Sequence, residues 1–383
     1  MCDILKHTTM KTGDKTMKKI HRTLSLFTVA AMCAALLCSC GAVSDSSQTD
    51  SSSKADTTTT ADTTADTTTT GEASSTASAT SAPDSSVSDS SSAVTDDTKT
   101  NGITPAMWKV TSPEGSTMVM LGSFHALKDE CYPLPEAVTN AYNNADILAV
   151  ECDITSTSED GEYMKNLMKQ MLYNDNTKLS QHISEEAYSA LQTYLGYWGM
   201  DISALEVYRP WAVSSTLDTL LIQDSDFDTE KGLDNYLLTT AHADGKEIYE
   251  VESVDFQMNL LINFSDDIYD LMFRSYEGET KESQKQALED LYTAWKSGDI
   301  ETFLEEDNEE ELAGYTEEDK KIAEDYNNQM LYDRNKNMAI AAEDLMSQGK
   351  NVFYVVGAAH YAGEGGIIDL LEKDGYTAER VQY

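Results

Sequence analysis

Sixty consecutive residues without an aromatic side chain set the first limit on what this chain can fold into. Residues 42–101 are almost entirely Ser, Thr, Asp and Ala, with runs such as Thr57-Thr58-Thr59-Thr60. A segment this polar buries too little apolar surface to offset the entropy of ordering, so it is expected to stay an extended coil. At roughly 5–6 Å × √n, its reach is about 40–45 Å. Residues 41–101 therefore read as a disordered tether, rich in hydroxyls open to glycosylation, and a fold must come from residues 102–383.

The segment before the tether reads as an export signal, residues 1–40. Met17-Lys18-Lys19-Ile20-His21-Arg22 is basic and leads into an apolar stretch, Leu24–Leu37, that is short for a membrane span. It ends in Leu37-Cys38-Ser39-Cys40-Gly41, which resembles a bacterial lipobox with Cys40 as the lipidated residue. Met17 begins a normal signal by itself, so residues 1–16 read as upstream of the real start. The expected location is the outer side of the cell membrane, held only by a lipid anchor; an ordinary cleaved signal without lipid is the alternative.

Charge excludes one class of partner. The formal net charge is −40; residues 102–383 hold 19 Lys+Arg against 55 Asp+Glu, leaving −36 on the folded part. Such a surface repels nucleic acid and anionic headgroups, whose phosphates need cations. It suits solubility and recruitment of divalent cations, and equally a plain solvated exterior. Of six cysteines, only Cys131 and Cys152 lie in the domain, where a disulfide and two buried thiols are both open readings.

Within the domain, short apolar runs alternate with longer helical patterns. Residues 117–122, 147–151, 247–252 and 352–357 read as strands, and residues 136–144, 185–197 and 333–348 as amphipathic helices. That alternation predicts an α/β fold with a central mixed sheet flanked by helices. Residues 264–330, helical and acidic, are expected to form an added helical layer; the runs Glu305-Glu306-Asp307 and Glu309-Glu310-Glu311 read as cleft-shaping or simply solvated faces.

Two of the domain's four histidines follow a predicted strand inside the same motif: Gly122-Ser123-Phe124-His125 and Gly357-Ala358-Ala359-His360. Glu151 and Glu252 end two other strands. Ligand sites in open α/β sheets form at the carboxyl ends of strands. Two imidazoles and one or two carboxylates there would suit a divalent ion such as zinc, manganese or cobalt. His182 and His242, in helical polar contexts, read as surface residues.

These motifs, with Pro133-Leu134-Pro135, Arg209-Pro210-Trp211, Gly232-Leu233-Asp234, Gln257, Trp295, Gly298-Asp299 and Arg334-Asn335, resemble the TraB/GumN/Tiki family over nearly all of residues 106–383. The resemblance implies an α/β fold related to erythromycin-esterase and ChaN-like proteins, and metal-dependent peptidase chemistry in the animal Tiki members. It implies that His125, His360 and Glu151 form the metal site or catalytic core. Arg334 and Asn335 would orient a substrate carbonyl or a supporting group, and Glu252, Gln257 and Arg209 would line the pocket. The expected reaction is hydrolysis of a peptide or protein substrate outside the cytoplasm, with Glu151 as ligand or base and Arg334 near the oxyanion. The rival expectation is a non-catalytic surface protein that binds a peptide or pheromone. Gly-x-Ser-x-Gly, His-Glu-x-x-His and glycine-rich phosphate loops are absent, which disfavours serine-esterase, zincin and nucleotide chemistry.

Overall fold

The computed structural model describes residues 102–157, 161–304 and 315–383. The signal, the lipobox with Cys40, the tether and the acidic runs at 305–311 lie outside the described residues. The strands are β1 Met107–Thr111, β2 Thr117–Ser123, β3 Ile147–Val150, β4 Glu247–Glu250, β5 Val352–Gly357 and β6 Thr377–Arg380. They form one sheet in the order β4-β3-β5-β2-β1-β6. β4, β3, β5 and β2 are parallel, while β1 is antiparallel to both β2 and β6. The fold is therefore α/β with a mixed sheet.

The α-helices in chain order are α1 Glu136–Asn144, α2 Ile154–Thr157, α3 Gly161–Gln170, α4 Glu185–Tyr197, α5 Pro210–Gln223 and α6 Leu233–Asp244. They continue with α7 Val254–Ile262, α8 Asp266–Arg274, α9 Lys281–Ser297, α10 Glu317–Asn327, α11 Asp333–Ser347 and α12 Ile367–Lys373. A π-helical turn, Asn328–Tyr332, joins α10 to α11. Several starts are set by local chemistry: Ser184, Ser253, Ser265, Thr280 and Thr316 each accept a backbone N–H of the first turn. α9 stops where Gly298 takes a left-handed conformation.

The topology positions the site. β5 comes late in the chain but lies between β2 and β3, and every one of its residues is buried. An apolar run such as Val352-Phe353-Tyr354-Val355-Val356 is what a strand covered on both faces requires. Its insertion puts the carboxyl ends of β2, β5 and β3 side by side: Ser123 pairs with Gly357, and Val150 with Val355. Those ends carry His125, His360 and Glu151. The edge strands β4 and β6 carry Glu247, Glu250, Glu379 and Arg380, charges that oppose edge-to-edge pairing.

The described residues of 264–330 are mostly helical, as the pattern predicts, and their helices are tied to the rest. Arg274 of α8 pairs with Asp270 on its own helix and with Asp319 of α10. Trp295 of α9 is fully buried, and its Nε1–H donates to the carbonyl of Gly122 at 2.9 Å. That bond fixes α9 against the end of β2. The sequence reading names neither β1 nor β6: the apolar residues of β1 (Met-Trp-Lys-Val-Thr) are interrupted by Lys109, and β6 (Thr-Ala-Glu-Arg) is a polar edge with no apolar run to reveal it.

Gly122 shows how tightly the strand ends meet. A Cβ there would lie 2.9 Å from Ala358 Cα and 3.0 Å from Ala358 Cβ, in the neighbouring strand-end turn. Gly122→Ala is therefore expected to lower stability by about 1–3 kcal/mol through overpacking. Gly196→Ala, where a Cβ meets nothing within 4 Å on helix α4, is expected to raise it by about 0.5–1 kcal/mol. Thermal or denaturant unfolding of the two variants beside the wild type checks both signs.

Candidate functional site at the ends of three strands

Gly357 marks the centre of the site. A Cβ built on it would lie 3.1 Å from Glu151 Oε1, 3.5 Å from His125 Nε2 and 3.6 Å from His360 Cδ2. Two imidazoles and a carboxylate from three strands thus face the space that a side chain at 357 would fill. The space belongs to a cavity of about 30 Å³, comparable to one or two water molecules. Across it lie Tyr326, Met330 and Leu331, from α10 and the π turn.

Each imidazole is held by its far nitrogen. His125 Nδ1 is 2.8 Å from Asp234 Oδ2, a carboxylate oxygen that can only accept in its ionised form, so Nδ1 carries the proton. His360 Nδ1 is 2.6 Å from Asn335 Oδ1, and Asn335 Nδ2 donates to the carbonyl of Gly365 at 3.0 Å. The amide orientation is therefore fixed, and Nδ1–H again donates. In both rings Nε2 is left to the cavity side. Asp234 is placed by backbone docking: the Leu233 N–H donates to the Phe124 carbonyl, and a Cβ on Gly232 would sit 2.1 Å from the His125 carbonyl oxygen. Only glycine allows that approach.

The partners give the two rings different electrostatics. Burial lowers the His125 pKa, but the charge and hydrogen bond of Asp234, then the charge of Glu151, outweigh it, and the pKa rises to about 9. At His360, burial and then the Arg334 charge dominate, and the pKa is pushed down to about 3. His360 is thus a neutral ring across the ordinary pH range.

Glu151 is the most constrained group. Its Oε1 accepts the Gly357 N–H at 2.7 Å and lies 3.8 Å from His360 Nε2. Its Oε2 accepts Arg334 Nη2 at 2.7 Å and Gln257 Nε2 at 2.9 Å. Burial acts to raise its pKa; Arg334, followed by His360, His125 and the Gly357 N–H, reverses this and holds the carboxyl well below its ordinary value of 4.5. Glu252 takes Arg334 as a fork, Oε1 from Nε at 2.9 Å and Oε2 from Nη2 at 2.8 Å. Gln257 Nε2 also reaches Glu252 Oε2 at 2.8 Å, and Cys152 Sγ, at 3.4 Å, donates to Gln257 Oε1.

The expected site residues therefore separate into groups. His125, His360 and Glu151 come together; Asn335 supports His360; Arg334, Glu252 and Gln257 form a bonded layer beneath Glu151. Glu151 and Glu252 fall one and two residues beyond their strands, though Glu252 N–H still donates to the Glu151 carbonyl. Arg209 is not among the residues lining this cavity; its guanidinium lies 5.8 Å from the Tyr173 ring. Cys131 and Cys152 are free, buried thiols. His182 and His242 bond to Asp266 and Asp153, away from the cavity lining. Sequence reasoning gave Asp234 no role. An acidic residue just after Gly232 reads as a helix-start residue, so its place in the chain gave no sign of His125.

The geometry can be set beside known proteins. The TraB/PrgY/gumN family model matches residues 106–380. This chain belongs to the TraB/PrgY/gumN family. Among the relatives of this family member is "Metalloprotease TIKI homolog" from Nematostella vectensis, 25% identical, covering 65% of this chain and 61% of the relative. Another is "Uncharacterized protein YbaP" from Escherichia coli (strain K12), 26% identical, covering 41% of this chain and 56% of the relative. The match thus spans less than two thirds of either relative's length. No solved structure matches the chain significantly.

In the family member, removing Arg334 would strand two buried carboxylates. Arg334→Ala is expected to cost about 3–5 kcal/mol, read by denaturant unfolding. The depressed Glu151 pKa contributes stability that is present above about pH 4.5 and is lost as pH falls below it toward the folded-state value. Glu151→Gln should flatten that acid limb in a pH series of melting temperatures.

Proposed function

We propose that this TraB/PrgY/gumN member is a metal-dependent hydrolase, a peptidase acting on an extracytoplasmic peptide or protein. The observation that carries the reading is the convergence of His125 Nε2, Glu151 Oε1 and the His360 ring beside Gly357, with His360 Nε2 3.8 Å from Glu151 Oε1 and both rings oriented by their Nδ1 partners. Ligating histidines commonly donate their other nitrogen to a carboxylate or carbonyl oxygen, the pattern of both rings here. The relative named as a metalloprotease supports the same class.

The donor set fits a divalent ion such as manganese, cobalt or zinc in kind: two imidazoles and a carboxylate around a space that a methyl group would fill. Among the described residues no three His, Cys, Asp or Glu side chains are close enough to enclose an ion as they stand. His125, His360 and Glu151 would hold it, and the bound ion would polarise a carbonyl and make its water acidic. The chain's own contributions are distinct. Asp234 and Asn335 fix the tautomers, while Arg334 and Gln257 keep Glu151 ionised and immobile. Arg334 acts here through Glu151: Nε, Nη1 and Nη2 are all bonded to protein acceptors, so an oxyanion role does not suit it. Anchoring through Cys40, with the site on the outer side of the membrane, belongs to the same proposal and rests on the sequence of the signal alone.

The small size of the cavity favours a second reading, a binding protein of the same fold without turnover. Metal analysis separates the two. Wild type is expected to carry about one equivalent of a divalent ion, and His125→Ala and His360→Ala to lose it along with peptide hydrolysis, while both variants still unfold cooperatively. A wild type that neither retains nor is thermally shifted by manganese, cobalt or zinc would sink the hydrolase reading.

A further inference from the structure

We infer that the segment from Glu317 to Tyr332, α10 with its π turn, is the wall that opens to admit substrate, and that its apolar face selects a substrate with an apolar residue beside the scissile bond. This rests on the hydrolase reading and adds to it the entry route and the substrate class.

A cavity of about 30 Å³ holds one or two waters, not a peptide group with its flanking side chain. Something must yield. The sheet side is held by the backbone ladders of β2, β5 and β3 and by the ion pairs of Arg334 with Glu151 and Glu252. The opposite side comes from one stretch of helix, whose Tyr326, Met330 and Leu331 are 2%, 6% and 7% exposed, with the half-buried Asn327 beside them at the cavity's edge. Its restraints come mainly from other helices. Asp319 pairs with Arg274 of α8, Tyr326 packs on Phe264 with ring centres 5.5 Å apart, and the bond from Arg334 Nη1 to the Met330 carbonyl at 3.1 Å reaches the fixed layer.

The π turn lies where such a wall would hinge. π turns interrupt the regular helical ladder and are frequent at functional sites. This one occupies Asn328–Tyr332, between the wall and the fixed residues Arg334 and Asn335. Beside its end, Gly365 has φ +78 and leaves room for Tyr332; a Cβ would come within 3.0 Å of that ring. Substrate-induced movement of such a segment would uncover the apolar surface of Met330 and Leu331 opposite His125 and His360. An apolar side chain is the group that replaces those contacts without leaving a polar atom unpaired.

Hydrogen exchange on the full chain, combined with peptide cleavage, tests this. Amides of 317–332 are expected to exchange about tenfold or more faster than those of 336–346 in α11. Met330→Ala is expected to raise kcat/KM for a peptide with Phe at the scissile bond over one with Ala by about tenfold, while the volume-conserving Met330→Leu leaves the ratio near wild type. Equal protection of the two segments overturns the opening wall. An unchanged Phe-to-Ala ratio in Met330→Ala overturns its selective face. If the wild type cleaves no peptide, the hydrolase reading fails separately, and the exchange contrast still decides whether the wall opens.

Discussion

Glu151 and Glu252 end neighbouring parallel strands with their side chains only 12% and 5% exposed, and two buried carboxylates so placed repel unless a cation lies between them. Arg334 supplies it. Its planar fork takes both oxygens of Glu252 while Nη2 also reaches Glu151, a geometry that lysine's single ammonium does not reproduce. Gln257 adds a donor to each carboxylate. The cluster thereby joins the ends of β3 and β4 to α7 and α11. It also decides which Glu151 oxygen faces the cavity: Oε2 is engaged below, leaving Oε1 beside Gly357 and the imidazoles. The site's polar floor is therefore a consequence of one buried ion cluster.

That dependence explains what was legible in the sequence. The paired Gly-x-x-His motifs were readable because strand-end turns are local: a glycine and, three residues on, a histidine close an apolar run, and the sheet order makes the two copies neighbours. The late strand Val352–Gly357 announced itself by continuous hydrophobicity. Asp234 did not, since nothing near it in the chain says that the Phe124 carbonyl caps its helix and draws it to His125. Arg334 was legible as a site residue but not in its role, because the acceptors that occupy it, Glu151 and Glu252, lie 183 and 82 residues away in the chain. Tyr326, Met330 and Leu331 carried only the spacing of an ordinary amphipathic helix. The edge strand β6 was hidden for the opposite reason, too few apolar residues.

The two motifs are alike in sequence and unlike in setting. His125 leans on a carboxylate, which favours the charged ring; His360 leans on an amide, in deeper burial and under the field of Arg334, which favours the neutral one. Repetition of a motif thus does not imply repetition of a role. A pair made of one basic and one neutral imidazole keeps Nε2 of His360 available as an electron-pair donor at any ordinary pH.

Arg334 bears on the same question from the other side. A donor that stabilises developing negative charge must be free to meet it and must face the reacting atom. Arg334 instead spends Nε and Nη2 on two carboxylates and directs Nη1 to the Met330 carbonyl. The charge it carries is already neutralised by the pair it binds. Its effect on the cavity therefore passes through the ionisation of Glu151, and one bond ties the cluster to the Met330 carbonyl of the π turn.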